Sequence, residues 1–177
     1  MSGHNKWSKI KNKKAATDAQ KSKEFGKLSR LISVEGKKCG GDENSPGLRA
    51  AIEKARKASM PKDNIDRAIK KASEIKADMS EMLYEGYGPG GVGIIVTALT
   101  DNSNRTSPEI RHIFTQHNLS LGAQGSVTWG FTFNKEEREW TPSTTMEISG
   151  SDMDKLEKLV EALLDHDDVQ DVYTNAE

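Results

Sequence analysis

Apolar residues recur at helical spacing along the first third of the chain, and mostly at strand spacing thereafter. Thr17 or Asp18 suits a helix N-cap. Phe25, Leu28 and Ile32 follow at i, i+3 and i+7, with Leu31 beside them, so one face of a helix ends near Glu35-Gly36. Gly40–Ser45 reads as a loop, and Pro46 suits the first turn of a second helix buried through Leu48, Ala51, Ile52 and Ala55. Pro61 stops that helix and starts a third, whose stripe is Ile65, Ala68, Ile69 and Ala72. Asp63 and Asp66 near its start and Lys70 and Lys71 near its end complement the helix dipole. Three short helices with small faces predict a thin core under a largely polar surface.

Residues 73–81 read as a linker, after which the period changes. Met82–Tyr87 and the β-branched run Val92–Leu99 predict strands joined by a Gly88-Pro89-Gly90-Gly91 turn. A helix starting between Asn104 and Pro108 buries Ile110, Ile113 and Phe114. Gly125–Phe133 alternates as a strand, 134–139 is a charged turn, and Thr144–Ile148 is a short strand. Ser151 caps a helix with the face Met153, Leu156, Leu159, Val160, Leu163 and Leu164, and Val169–Thr174 closes the chain as a strand. The order β-β-α-β-β-α-β predicts an α+β sandwich, with both helices on one side of a mixed or antiparallel sheet.

Charge sharpens this division. Residues 1–80 carry 20 Lys+Arg against 10 Asp+Glu, and residues 81–177 carry 6 against 17, so the net charge of −1 hides a strong dipole. A basic half attracts a polyphosphate and an acidic half repels one. The predicted organisation is a flexible basic arm over 1–16, a basic helical domain over 17–75 and an acidic α+β domain over 82–177. Mean hydropathy is −0.73, polar for a globular protein but short of wholesale disorder. No stretch approaches the roughly 18 apolar residues of a membrane span, and the basic start lacks the apolar run of a secretory signal. Cys39, the only cysteine, cannot form an internal disulfide and points to a reducing compartment. The cytoplasm is therefore expected, with an organelle matrix as the alternative.

Most motifs have plain readings. The glycines of 86–93 are followed by a β-branched run, not by the helix N-terminus a nucleotide loop needs. A tight hairpin using positive φ is the expected structure, while a backbone lying close against RNA or protein keeps Tyr87, Gly88, Pro89, Gly90 and Gly91 as a possible contact. His4, His112, His117 and His166 are scattered, and Asp165-His166-Asp167-Asp168 lacks the spaced ligands of a calcium loop. No metal, cofactor or catalytic constellation is expected, and the chain is read as a non-enzyme. The arm carries the strongest signal. Lys6, Lys9, Lys11, Lys13 and Lys14 supply phosphate attraction, and Trp7 among them either stacks on an unpaired base or anchors the arm on the helices. Lys21, Lys23, Lys27 and Arg30 extend the basic surface along the first helix, and Arg105 and Arg111 are secondary contacts or local ion-pair partners.

Several stretches resemble the YebC/PmpR family. They are Gly3-His4-Asn5-Lys6-Trp7-Ser8-Lys9-Ile10-Lys11, Leu48–Arg56, Met60–Ile65, Tyr84-Glu85-Gly86-Tyr87-Gly88-Pro89-Gly90-Gly91, Thr100-Asp101-Asn102-Ser103-Asn104-Arg105-Thr106 and the tail Asp167–Asn175. The resemblance covers nearly the whole chain. It implies an N-terminal helical domain, a following α/β domain, no enzymatic activity and no cofactor. It also implies either a DNA-binding transcriptional regulator in the cytoplasm or a translation factor on the ribosome that relieves stalling at proline-rich stretches. Typical members carry a third, ferredoxin-like domain inserted in the second; here the chain runs from Phe133 through 134–139 straight to the tail, so that domain is expected to be missing.

The sequence reading is thus a non-enzymatic nucleic-acid-binding regulator of gene expression. Ribosomal RNA is the preferred partner, because no helix shows the Arg/Asn/Gln cluster that reads base edges, whereas structured RNA is held through shape and phosphates. DNA is the close alternative, and a protein-interaction module acting through the acidic domain is the rival from another class. No membrane partner is expected.

Overall fold

The computed structural model describes residues 17–74 and 78–177; the arm, with Lys6, Trp7, Lys9, Lys11, Lys13 and Lys14, lies outside the described residues. The chain divides into two units, one comprising Ala16–Met79 with Phe133–Glu139, the other Ser80–Thr132 with Trp140–Glu177.

The helical unit holds α1 (Asp18–Lys38), α2 (Pro46–Lys57) and α3 (Lys62–Lys71). Thr17 caps α1, its hydroxyl accepting from the Gln20 N–H while the Gln20 side chain accepts from the Thr17 N–H. Ser45 caps α2 ahead of Pro46. Leu28, Leu31 and Ile32 of α1 pack on Leu48, Ala51, Ile52 and Ala55 of α2 and on Ile65 and Ala68 of α3. Small side chains on α2 and α3 make this core thin, as their spacing predicts. α1 continues past the expected Glu35-Gly36 end to Lys38, because Gly36 itself is buried and leaves just enough room for the Ala72 methyl, 3.0 Å from where its own Cβ would lie.

The second unit is built on an antiparallel sheet of β1 (Ser80–Tyr87), β2 (Gly93–Thr100) and β5 (Val169–Thr174), with β2 in the centre. One face of β2, Ile94, Val96 and Ala98, packs under α4 (Ser103–Gln116) and α5 (Gly150–Asp165) through Ile110, Phe114, Leu156, Leu159, Val160 and Leu163. Both helices therefore lie on one side of the sheet, and the fold is α+β. The opposite face is covered separately, Ile95 and Tyr173 meeting Val127 and Phe131.

Two expected strands differ. The strand read over Gly125–Phe133 is present only as β3 (Phe131–Asn134), after a 3-10 turn at Thr128–Gly130. The physical reason is Glu85, whose buried carboxylate takes the N–H groups of Gly125, Val127 and Thr128. A ladder would have needed those donors. The partner of β3 is β4 (Glu139–Pro142), not Thr144–Ile148. In the latter only Met146 bridges, to Ala176. The α5 cap is Ser149, whose hydroxyl accepts from the Asp152 N–H, two residues before the expected Ser151.

Candidate nucleic-acid interface

Among the described residues, the C-terminal half of α3 carries a close set of cations with no ion-pair partner. Its apolar residues Ile65 and Ala68 are buried, which turns Arg67, Lys70 and Lys71, at i, i+3 and i+4, outward on one face. With Lys21 of α1, Arg49 of α2 and Lys62 at the start of α3 they are exposed, and none is ion-paired among the described residues. Several other basic side chains of the unit are paired. Lys37 meets Asp78 at 3.2 Å, Arg56 meets Glu53 at 2.5 Å, and Lys38 meets the buried Glu35 at 2.9 Å.

The turn between β3 and β4 neutralises a further group. Glu137 meets Lys57 at 3.1 Å and Glu139 approaches Lys54 at 4.0 Å, while Arg138 reaches Glu35 at 3.1 Å. The hydrogen bond to Glu137, and then its charge, hold the Lys57 ammonium above its ordinary range. The carboxylate of Glu35 also lies where a Cβ on Gly47 would be, so a larger residue there would have to push that carboxylate aside. The segment that separates β3 from β4 thus takes up both lysines of α2, Lys54 and Lys57.

Of the helix-one residues expected to bind, Lys21 is exposed, whereas Lys23, Lys27 and Arg30 are half-buried and already engaged in interactions of their own. Arg105 is surrounded by acids. Its Nη2 lies 2.8 Å from Asp168 and 3.3 Å from Asp101, and its Nε 4.0 Å from Glu109. The hydrogen bond and charge of Asp168 raise its already high pKa. Asp168 is buried and also accepts from the Thr106 hydroxyl at 2.7 Å, which lies 2.8 Å from Thr100. This accounts for Asp168, just beyond the C-terminal end of α5 and a poor place for negative charge on dipole grounds: it serves the N-terminus of α4. His166 joins the cluster, its Nδ1 accepting from the Asp168 N–H at 3.1 Å and its Nε2 facing Glu109 at 2.8 Å. Glu109, His166 and Asp168 offer ligand atoms within 4.8 Å of one another. With both imidazole nitrogens committed and a guanidinium on Asp168, the arrangement is an ion-pair lock.

The Gly88–Gly91 turn closes with Gly88 N–H on the Val92 carbonyl at 2.8 Å, and Gly90 and Gly91 take φ of 72° and 82°. A Cβ on Gly90 would sit 2.8 Å from Ile148. Next to it Tyr87 is 46% exposed and donates its hydroxyl to the Ser126 carbonyl at 2.6 Å. Trp129 was not singled out by the sequence, yet it is 77% exposed. The face of α3 was also missed as a site, although the spacing of Arg67, Lys70 and Lys71 was a usable signal. No helix among the described residues is long and apolar enough to cross a membrane.

The fold thus pairs a cationic three-helix unit with an acidic α+β unit. Residues 5–75 match the family model described as the TACO1/YebC protein N-terminal domain, and 79–136 and 130–176 match that of the TACO1/YebC second and third domain. The chain belongs to the TACO1/YebC family. A probable transcriptional regulatory protein of Thermoanaerobacter pseudethanolicus is 40% identical, with 100% of this chain and 97% of that protein aligned. One of Thermotoga petrophila is 39% identical, with 100% and 94% aligned. The crystal structure of a conserved hypothetical protein from Aquifex aeolicus matches with a TM-score of 0.76 at 34% identity, covering 90% of this chain and 91% of the other. The first alignment runs over 239 positions against 177 residues here, so the relative carries residues this chain lacks. The two matched stretches of the second model meet at 130–136, where β3 passes into the charged turn.

Proposed function

We propose that this protein is a non-enzymatic regulator of gene expression that binds structured RNA of the translation apparatus through the cationic face of its helical unit. The observation that carries the reading is the set Lys21, Arg49, Lys62, Arg67, Lys70 and Lys71, exposed and without an acidic partner among the described residues. Such groups release counterions when they meet phosphates, which gives salt-dependent affinity without base reading. α3 exposes one arginine and three lysines, with Asn64 half-buried and no second Asn or Gln beside it for base edges, which favours shape and backbone recognition as in folded RNA. The sequence of residues 1–16 supplies five further lysines for phosphate attraction. The cytoplasm, with its reducing conditions, suits the lone Cys39.

A second reading, a DNA-binding transcriptional regulator, is favoured by the names of the relatives. Co-sedimentation with ribosomes, set beside binding to duplex promoter DNA, separates the two. The triple variant Arg67→Gln, Lys70→Gln, Lys71→Gln is expected to weaken binding and to flatten the slope of log K against log salt by about 2–3, at about 0.7–0.9 per phosphate lost. Binding that does not respond to potassium chloride, or a triple variant that binds like wild type, refutes the interface. If activity in cells also survives loss of these cations and those of the arm, the acidic unit acts instead as a protein-interaction module.

A further inference from the structure

We propose that Tyr87 and Trp129 form a stacking platform for an unpaired base of single-stranded RNA, a second contact on the α+β unit; the inference rests on the RNA-binding reading above. The two rings are organised by one carbonyl. Ser126 O accepts from the Tyr87 hydroxyl at 2.6 Å and from Trp129 Nε1 at 2.8 Å. Both polar tips are thereby satisfied from within, and what the rings present outward is aromatic surface, 46% and 77% exposed. A face without free donors or acceptors stacks on any base and selects none.

The carbonyl is itself held in place. Glu85 takes the N–H groups of Gly125, Val127 and Thr128 at 2.7, 2.7 and 2.8 Å, on both sides of Ser126. Glu85 and Tyr87 lie at i and i+2 of β1, so they share the face of the sheet away from α4 and α5. One strand therefore supplies both the anchor of the loop and half of the platform. The rings need little ordering when a base arrives.

Charge and size both favour a nucleobase. Although the unit is acidic, no Asp, Glu, Lys or Arg occurs between Arg111 and Lys135, and the one carboxylate shown on that segment, Glu85, is buried and taken up by the three N–H groups. Asp152, near the hairpin at Gly90, is paired with Lys155 at 3.3 Å. The exposed parts of the two rings, with the exposed Met146 near Gly91 added, amount to roughly 400 Å² on the usual aromatic areas. A stable protein interface needs about 800 Å² per partner. One or two stacked bases need far less.

The test uses the full chain with three probes: a short uridine oligonucleotide, the same backbone made abasic, and a duplex RNA of equal phosphate number. Trp129→Ala is expected to weaken the uridine oligonucleotide about 5- to 100-fold, with duplex and abasic binding unchanged. Trp129→Phe is expected to retain most of the affinity. Since Trp129 is exposed, an unchanged thermal transition establishes that Trp129→Ala is folded. Equal loss on all three probes, or no loss on the uridine oligonucleotide, overturns the platform. So does a Trp129→Ala phenotype confined to self-association or capture of a protein. If the α3 triple variant loses binding while Trp129→Ala does not, only the platform falls. If wild type binds none of the probes, the RNA reading falls with it.

Discussion

Glu85→Ala removes the acceptor shared by three backbone N–H groups. The Val127 N–H is buried in that contact, and leaving it unpaired costs about 1–3 kcal/mol. The donors of Gly125 and Thr128 are partly exposed and recover water, so each loses only part of a charge-assisted bond, about 1 kcal/mol. Relief of the carboxylate's desolvation offsets some of this, and the net expectation is a loss of about 2–4 kcal/mol. For a chain of this length that is a fall of roughly 4–16 °C in Tm. Glu85→Gln keeps one acceptor oxygen and should lose about half as much. The pH dependence tests the same contact from another side. Burial pushes the Glu85 carboxyl up, but the N–H groups of Gly125, Thr128 and Val127 together pull it below the ordinary carboxylate range. A carboxyl with a lowered folded pKa stabilises fully above its unfolded value, about 4.3, and its contribution fades as pH falls through the folded value. Denaturation followed by near-ultraviolet circular dichroism from neutral pH down to about pH 3 should show wild type converging on Glu85→Gln. Parallel profiles, or a Glu85→Ala variant within about 0.5 kcal/mol of wild type, refute the account.

Three further outcomes are expected. Thr106→Val removes a fully buried hydroxyl that joins Asp168 to Thr100, and should lower stability by about 1–3 kcal/mol, read as a shifted denaturant midpoint at constant m. Gly90→Ala forces a methyl toward Ile148 at φ 72° and should cost at least the 1–2 kcal/mol of left-handed backbone, seen in the thermal transition. A double-mutant cycle on Lys57 and Glu137 should return only about 0.2–1 kcal/mol and shrink as salt rises, since both side chains are more than half exposed.

How legible the fold was depended on whether an element's partners were local. The faces of α1 to α3, the β-branched β2 and the leucine stripe of α5 are periodic patterns, and the structure has them within a few residues. The stretch 125–133 kept the alternation of a strand in Val127, Trp129, Phe131 and Phe133, yet its first half is not one, because the Glu85 carboxylate arrives from 40 residues away. No local pattern announces such a competitor. Asp168 was unreadable for the same reason, its partner Arg105 lying 63 residues earlier. Among the candidate residues, Lys70 and Lys71 are read from the sequence only as complements of the helix dipole and Arg67 is not singled out; the dipole suffices for the position of the lysines and not for their exposure. The exposure of Trp129 follows from the turn that replaced the strand, so it could not be read before that turn was known.

The pairing of Arg138 with Glu35 bears on how this protein can be cut. A proteolytic or cloned fragment that stops at the linker would contain α1, α2 and α3 but would leave Glu35 with Lys38 alone as its countercharge. Its helical piece would be less resistant to unfolding than the same piece in the intact chain. Domain dissection by sequence order thus removes a strut from the helical unit.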